Sequence, residues 1–256
     1  MDAIHIDSPT SITIRGKAIP GAEDRQEKIP GFDQEVFSRS KVLCIGAGGL
    51  ISHIAPALVR KGIGALIICD DDIVEVSNLN RQRFYERDIG KNKAITLVQN
   101  LRDECVCETV LTGYALRFEE ALQIGIDVSC HAVVCGVDNN PARIAASRYF
   151  RKQETPVVFI GVSIDANQGY VFVQERAGSC FGCIFPDAVN DASFPCPETP
   201  AIIDILQAIG GFAVYAIDSC LMNRPRSWNY RGLCLPDGQW DSTKRINRRS
   251  GCIEPH

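Results

Sequence analysis

The chain has little of what marks membrane, secreted and nucleic-acid-binding proteins. Its 27 basic and 31 acidic side chains give a formal net charge of −4, so no positive field favours nucleic acid as the main partner. The sequence shows no apolar run of roughly 18 residues, the length of a membrane span, and its first ten residues lack a basic-then-apolar signal pattern. These absences predict a cytoplasmic globular protein, and 256 residues suffice for one large α/β domain.

Cysteine, by contrast, is abundant, with twelve in the chain. Cys44, Cys69 and Cys135 lie inside apolar, strand-like runs, where cysteine behaves as a small hydrophobic residue. Without a secretory signal, a disulfide framework is not expected, because thiols inside cells stay reduced. The composition therefore favours free thiols and a metal site over disulfide bonds.

Residues 41–93 have the pattern of a nucleotide site. An apolar run, residues 42–45, meets a glycine turn at residues 46–49, and apolar residues at helical spacing follow. This order predicts a strand, a tight turn and a helix. Glycine lets the backbone come close to a phosphate, and the free N–H groups at the start of a helix favour an anion.

A second apolar run, residues 65–68, ends near Asp70, about where a Rossmann-type fold carries the carboxylate that grips a ribose hydroxyl. A nicotinamide-dependent oxidoreductase would share this arrangement. Ile51, however, stands where the dinucleotide fingerprint has its third glycine, so close packing of helix on strand over a pyrophosphate is not secured. The polar segments 77–84 and 88–93 supply Asn, Arg and Lys side chains, which a triphosphate needs and a nicotinamide does not.

Together these motifs carry a family resemblance. GAGGL at residues 46–50, the pair Asp70 and Asp72, SNLNRQ at residues 77–82 and DIGKNK at residues 88–93 closely resemble the ThiF/MoeB/HesA family. The fold of that family is shared with ubiquitin-activating enzymes, and the resemblance covers about residues 25–256. It implies an α/β fold with a Rossmann-like, doubly wound and mostly parallel sheet that ends in antiparallel strands. A small zinc-binding C-terminal region completes the expected domain.

The resemblance also implies a reaction. Members of the family use ATP and Mg²⁺ to adenylate the C-terminal glycine of a ubiquitin-like or sulfur-carrier protein, and a homodimer is expected. A conjugating enzyme acting downstream is a further expected partner. The ATP contacts that the resemblance implies are Gly46, Gly48 and Gly49 at the phosphate turn, Asp70 on the ribose, Asp72 beside it, and Asn78, Arg81 and Lys93 on the phosphates.

Arg25 is the candidate for a contact across the dimer. The segment DRQEKIPGF, residues 24–32, is similar to the family's entry segment, in which an arginine reaches the partner's ATP. The family's earlier arginine would fall at Ala22 and is missing here. A solvated, charged turn is the alternative interpretation. Ahead of the expected single domain, residues 21–256, the first twenty residues form an unassigned extension whose alternating residues 11–15 predict an edge strand.

Asp138 follows a third apolar run, residues 132–137. Because ligands bind off the carboxyl ends of parallel strands, Asp138 is expected to face the same crevice as Gly46 and Asp70. The resemblance implies that it holds Mg²⁺. The alternative is a capping role for the helix that begins near Pro141, which Asn139 could perform instead.

Cysteine spacing near the C-terminus predicts structural zinc. Cys180 and Cys183 form a CxxC pair, which lets one turn present two sulfurs to one ion, and Cys252 and His256 are the expected remaining ligands. The family usually has a second CxxC here, so Cys234 is kept as a reserve ligand. A redox-active pair is the alternative, but such a pair opens a helix, and Ile184-Phe185-Pro186 does not favour one.

Cys196 is the candidate acceptor of a thioester. In relatives, the loop before a long helix can carry a cysteine that attacks the acyl adenylate, and Cys196 matches that position between two prolines. An idle loop cysteine is the alternative, because some members of the family only adenylate. The helix itself, residues 201–222, is apolar on more than one face, which predicts a buried core helix and, by resemblance, a homodimer seam.

Four functional alternatives stay open at this point. An enzyme that stops at the adenylate and a tRNA-modifying ATP-dependent dehydratase would both share the ATP site. An NAD-dependent oxidoreductase would leave Arg81, Lys93 and the CxxC pair unexplained. A non-catalytic partner subunit typically lacks parts of the ATP set, whereas Arg25, Arg81, Lys93 and Asp138 occur together here.

Overall fold

The computed structural model describes residues 5–8, 10–163, 165–189, 201–236 and 241–252. Within these ranges, ten strands form one sheet in the spatial order β1-β2-β5-β4-β3-β6-β7-β8-β9-β10. The strands are β1 (His5–Ser8), β2 (Ser11–Arg15), β3 (Lys41–Ile45), β4 (Ala65–Cys69), β5 (Val110–Tyr114), β6 (Ala132–Cys135), β7 (Val157–Val162), β8 (Gln168–Gln174), β9 (Tyr230–Cys234) and β10 (Ser242–Lys244). The helices are α1 (Gln34–Arg39), α2 (Gly49–Arg60), α3 (Lys93–Leu101), α4 (Phe118–Gln123), α5 (Asn140–Lys152), α6 (Phe181–Ile184) and α7 (Ile203–Leu221).

The middle of the sheet is parallel and its end is antiparallel. Strands β5, β4, β3, β6 and β7 run in the same direction, because the helical segments between them return the chain to the starting edge. Strands β8, β9 and β10 then pair antiparallel. This confirms the predicted mostly parallel sheet with an antiparallel end.

The winding of the sheet reverses beside β3. From β3 the chain forms β4 and then β5 on one side, and it later forms β6 and β7 on the other side. The carboxyl ends of β3 and β6 therefore border the reversal point, where doubly wound sheets bind their ligands. Gly46 and Gly136 directly follow these two strands.

Helices cover both faces of the sheet. Residues Val42 and Cys44 of β3 belong to the apolar cluster that includes α2, α3 and α7. Leu43 and Ile45 point the other way, into the cluster that includes α4, α5 and α6. Burial on both faces explains why the central strands read as continuous apolar runs in the sequence.

The predicted strand at residues 11–15 exists as β2, but its expected position at the sheet edge was wrong. Strand β2 lies between β1 and β5 and pairs antiparallel with both. Its Ile12 and Ile14 side chains are 3% and 2% exposed, so they belong to the core. Part of the N-terminal extension is thus an inner strand of the sheet.

The long apolar helix is observed as α7, two residues later than predicted because Ile202 has extended backbone angles. Its length and mean composition would permit a membrane span, although Asp204 and Asp218 interrupt its apolar run. Ile205, Ile209 and Ile217 are nevertheless completely buried within the protein. They join the apolar cluster of α2 and of strands β6 to β8, so α7 is a core helix as predicted.

Candidate active site

The glycine turn after β3 has the geometry that the sequence predicted. Gly46 has φ of +98°, a left-handed conformation that a residue with a Cβ atom rarely adopts. Helix α2 then begins at Gly49, with Gly48 as its cap residue. Neither a side-chain cap nor an acidic first-turn residue occupies this helix start. The backbone N–H groups there are consequently suited to an anion.

Ile51, which replaces the expected third glycine, does not prevent close packing. A Cβ atom added to Gly136 would lie only 2.8 Å from Ile51 Cγ1. The small residue at this contact is therefore supplied by the chain after β6 rather than by α2. The close packing that the missing third glycine left unsecured is therefore provided by Gly136.

Asp70 ties the end of β4 to the glycine turn. One carboxylate oxygen accepts a hydrogen bond from the Ala47 N–H at 2.5 Å, and the other accepts one from the Asp72 N–H at 2.8 Å. Burial raises the pKa of the Asp70 carboxyl to about 6; Lys93 opposes this rise and Asp72 adds to it. The side chain is thus positioned at the crevice that the resemblance assigns to the ribose.

Lys93 is a fixed cation beside Asp70. Its ammonium group lies 2.9 Å from the Asp72 carboxylate, and the residue is only 9% exposed. It is the first residue of α3, which Asn92 caps by accepting a hydrogen bond from the Ile95 N–H. The pair Asp70 and Asp72 and the DIGKNK motif of residues 88–93 therefore meet in space as predicted.

Asn92 was missed by the sequence reasoning, although its position before the apolar run of α3 is a recognised cap signal. Its amide group donates hydrogen bonds to the backbone carbonyls of Asp70 at 2.8 Å and Asp72 at 3.1 Å. One side chain thus caps α3 and holds the chain that carries both carboxylates.

Asn78 and Arg81 lie in the long loop between β4 and α3. The Asn78 side chain is buried and accepts a hydrogen bond from the Glu75 N–H at 3.0 Å, which caps a short 3₁₀ turn. Arg81 donates to the Ser77 carbonyl at 2.6 Å and to Asn80 Oδ1 at 3.0 Å. Their phosphate contacts stay predictions, and the structure adds a local structural role for both.

Asp138 is exposed and makes no hydrogen bond or ion pair with the described residues. Asn139, rather than Asp138, caps α5 by accepting from the Ala142 N–H at 2.9 Å, so Asp138 is free for another role. Arg143, which the sequence reasoning missed, donates to the Val137 carbonyl at 3.0 Å and fixes this turn. No pattern in the sequence signals that contact.

Among the described carboxylates, those of Asp70, Asp71 and Asp72 form a possible cation site. Their ligand oxygens lie within 4.8 Å of one another. Oxygen ligands of this kind suit Mg²⁺. Asp71 also pairs with Arg117 at 2.8 Å. Asp138 is not part of this group, and its magnesium role stays a prediction.

Arg25 is exposed on a turn whose neighbours are anchored. The Gln26 amide donates to the Lys61 carbonyl at 2.9 Å, and the Cys107 thiol donates to Glu23 at 3.0 Å. Arg25 itself makes no hydrogen bond or ion pair with the described part of its own chain. An anchored turn with a free guanidinium is compatible with a contact in trans.

Three cysteines gather near the C-terminus, as predicted. The sulfur of Cys180 lies 3.5 Å from that of Cys183 and 3.3 Å from that of Cys252. These separations exceed a disulfide bond of about 2 Å. They come near the edge of about 3.8 Å expected for a tetrahedron with zinc–sulfur bonds of 2.3 Å. The donor set therefore fits zinc.

Hydrogen bonds lower the pKa of one thiol in this cluster and hold the C-terminal tail beside it. Burial favours the thiol form of Cys183, but hydrogen bonds from the backbone of Arg249 and from the Cys180 and Cys252 side chains outweigh it and lower the pKa of Cys183. Buried Asn229 holds the tail by accepting from the Ile246 N–H at 2.7 Å and donating to the Ile246 carbonyl at 2.8 Å. This clamp was also missed from the sequence.

One expectation about the cysteines was wrong, and the reserve ligand is not supported. The CxxC pair does open a helix, because Cys180 precedes the one-turn helix α6. The reserve ligand Cys234 ends β9 and is not part of the cluster that the described cysteines form. The remaining predicted residues, Cys196 and His256, lie outside the described residues.

Comparison with known proteins agrees with the geometry. The model of the ThiF family matches residues 23–252. The SAMP-activating enzyme E1 of Haloferax volcanii is 30% identical over 176 residues, which are 67% of this chain and 63% of that protein. The sulfur carrier protein adenylyltransferase of Thermus thermophilus is 30% identical over 184 residues, 70% of this chain and 67% of that protein.

Among solved structures, Escherichia coli MccB with ATP has a TM-score of 0.69 and 19% sequence identity, and the match covers 86% of this chain and 68% of that one. At this identity the likeness shows the fold alone. The match to the Haloferax enzyme spans less than two thirds of its length. Because the family model covers nearly the whole chain, the chain belongs to the ThiF family.

Proposed function

We propose that this protein uses ATP to adenylate the C-terminal glycine carboxylate of a small ubiquitin-like or sulfur-carrier protein. The observation that carries the proposal is the position of Lys93, a nearly buried cation held 2.9 Å from Asp72 and close to Asp70, which accepts a hydrogen bond from the glycine turn. The names of the relatives, a SAMP-activating enzyme and a sulfur carrier protein adenylyltransferase, support the same class of substrate.

The chemistry follows from the charges at this crevice. A carboxylate oxygen of the carrier protein attacks the α-phosphorus of ATP, and the bond between that phosphorus and the bridging oxygen breaks. Pyrophosphate leaves and an acyl adenylate remains. Both reactants are anions, so catalysis depends on alignment and on fixed positive charge.

The chain offers groups for each part of ATP. Asp70 would accept from the ribose hydroxyls, and the N–H groups at the start of α2 would bind phosphate oxygens. Lys93 and Arg81 would neutralise the charge that develops on the pyrophosphate. A magnesium ion at Asp138 or at Asp70 and Asp72 would supply further neutralisation when bound.

The direct test is exchange of labelled pyrophosphate into ATP. We expect exchange only when a small carrier protein that ends in glycine is present. The same carrier without its last glycine is the matched control and should give none. Turnover of ATP that instead requires tRNA would overturn the proposal in favour of an RNA-modifying enzyme, and ATP-independent hydride transfer would favour an oxidoreductase.

A homodimer with Arg25 acting in trans can be tested by mixing two inactive variants. In a mixed dimer of Arg25→Ala and Lys93→Ala subunits, one site combines an intact Lys93 with an intact Arg25 from the partner subunit. Random mixing should therefore restore about a quarter of the wild-type exchange rate. No recovery, although mixed dimers form, would contradict the contact in trans.

Thioester formation on Cys196 is a separate part of the proposal. Enzyme, carrier, ATP and magnesium should give a thiol-sensitive adduct on a non-reducing gel. Cys196→Ala should remove the adduct and leave pyrophosphate exchange intact. A persistent adduct would exclude Cys196 as the acceptor, and exchange without any adduct would indicate an enzyme that stops at the adenylate.

We also propose a cytoplasmic location, because the enzyme must meet its carrier protein in the compartment where that carrier is made.

A further inference from the structure

Arg81 lies in the long loop between β4 and α3, which has little regular secondary structure. The chain from the end of β4 to the start of α3 has only two short 3₁₀ turns, at residues 76–78 and 86–88. The Arg81 guanidinium bonds only to groups of its own loop, Ser77 and Asn80, among the described residues. Its position relative to the crevice therefore depends on what fixes the backbone of the loop.

Two consecutive residues of α2 provide that fixation. His53 Nε2 lies 3.0 Å from the Arg81 carbonyl oxygen, and Ser52 Oγ accepts a hydrogen bond from the Arg83 N–H at 3.3 Å. Because a carbonyl can only accept, His53 carries its hydrogen on Nε2. Ser52 is fully buried and donates to the Gly49 carbonyl, so both anchors belong to the rigid first turns of α2.

We infer that His53 is a positioning residue for Arg81 and, through it, for the triphosphate of ATP. The inference rests on the proposed adenylation and extends it to a residue that contacts no expected ligand. Helix α2 would then set two parts of the phosphate site at once. Its N-terminus presents the backbone donors, and His53 anchors the backbone of the residue that carries the guanidinium.

The His53 imidazole can keep the same hydrogen-bonding role near neutral pH. Burial lowers the pKa of His53, the bond with the Arg81 carbonyl opposes this, and the charge of Arg83 lowers it further. The neutral form is thus favoured near neutral pH, and it still donates through Nε2. A glutamine at the same position offers an amide N–H at a similar reach, whereas alanine offers none.

The test measures ATP affinity by calorimetry for the full chain. We expect His53→Ala to weaken ATP binding about tenfold, the scale of one lost hydrogen bond, and His53→Gln to recover most of it. His131→Ala is the matched control. His131 also bonds to backbone, accepting from the Lys41 N–H at 2.8 Å, but at the opposite end of β3, and its removal should leave ATP affinity unchanged.

A double-mutant cycle separates positioning from general destabilisation. If His53 acts through Arg81, His53→Ala should have no further effect on ATP affinity in an Arg81→Ala background. Equal losses in both backgrounds, or wild-type affinity in His53→Ala, would overturn the inference while the proposed function stands. Absence of ATP binding by the wild-type protein would instead overturn both.

Discussion

The crevice around Asp70 and Lys93 and the cysteine cluster differ in how the chain assembles them. At the crevice, Asp70, Asp72 and Lys93 all belong to residues 41–93. Asp70 accepts hydrogen bonds from the Ala47 and Asp72 N–H groups, and the Lys93 ammonium group donates to the Asp72 carboxylate. At the cluster, Cys180 and Cys252 are 72 residues apart and meet only because the C-terminal tail folds back. The first site is encoded locally, whereas the second depends on tertiary closure.

This difference has an energetic consequence. A local site that is held by many backbone bonds can lose one charged side chain and keep its shape. A cluster of thiols from distant segments shares the free energy of metal binding with folding, so loss of one ligand is felt as loss of stability. Changes at the crevice should therefore appear in activity, and changes at the cluster should appear in melting temperature.

The largest effect is expected for Lys93→Ala. Removing one preorganised cation commonly costs about 3 kcal/mol, so pyrophosphate exchange should fall by more than a hundredfold. Zinc content and melting temperature should stay close to wild type. Lys91→Ala is the matched control, because the Lys91 side chain is 54% exposed and lies 3.8 Å from Asp88, outside the crevice. Unchanged exchange in Lys93→Ala would remove this residue from the mechanism.

Next in size is Cys252→Ser. We expect the purified variant to lose zinc by elemental analysis and to melt roughly 10 °C lower, because structural zinc contributes directly to folding. The ATP affinity of the folded protein should change little. Cys220→Ser, a change outside the cluster, should keep one zinc ion per chain. If wild-type protein contained no zinc, the metal assignment would be wrong.

A smaller loss of stability is expected for Gly136→Ala. The new methyl group would press on Ile51, and overpacking of this kind costs about 2 kcal/mol in the free energy of unfolding. In an Ile51→Ala background the same substitution should cost almost nothing. Gly211→Ala is the control, since no atom lies within 4 Å of its added Cβ. Additive losses in the double variant would show that the two residues are not in contact.

The smallest effect is a pH dependence that involves Asp70. Its folded-state pKa of about 6 lies above the ordinary aspartate value of 3.8, so the folded protein binds a proton more readily than the unfolded chain. The contribution of Asp70 to stability is therefore present below pH 4 and is lost as the pH rises to about 6. ATP affinity should follow the opposite trend and weaken about tenfold per pH unit below 6, because the ribose contact needs the carboxylate.

Asp70→Asn is the matched variant for this prediction. It should bind ATP weakly at every pH and should lack the difference in stability between pH 4 and pH 6. Denaturant unfolding and calorimetry at both pH values measure the two trends. A wild-type ATP affinity that is constant from pH 7 to pH 5 would place the Asp70 pKa below this range.

The contrast between the two sites also explains what the sequence could predict. The glycine turn, Asp70 and Lys93 are contiguous enough that their residue types and spacing carry the information, and the structure brings them together. The contacts of Asn92, His53 and Asn229 were missed, because they join a side chain to a backbone carbonyl elsewhere in the fold. Such carbonyls leave no trace in the sequence of residue types.

The differences between prediction and structure have physical causes of the same kind. The alternating residues of β2 predict a strand but do not determine how many neighbours it pairs with. The fingerprint assigns a glycine to position 51, whereas the steric requirement belongs to a contact that Gly136 satisfies from the other side. A motif describes one chain segment, and packing always involves two.

Strands β1 and β2 have a practical consequence for handling the protein. A chain trimmed to the family-matched residues 23–252 would lose β1 and β2 and with them the strand that pairs with β5. The unpaired N–H and C=O groups of β5 would then face solvent beside the apolar surface that Ile12 and Ile14 now cover. Exposed edges of this kind recruit strands from other molecules, so the trimmed protein should aggregate where the full chain remains dispersed.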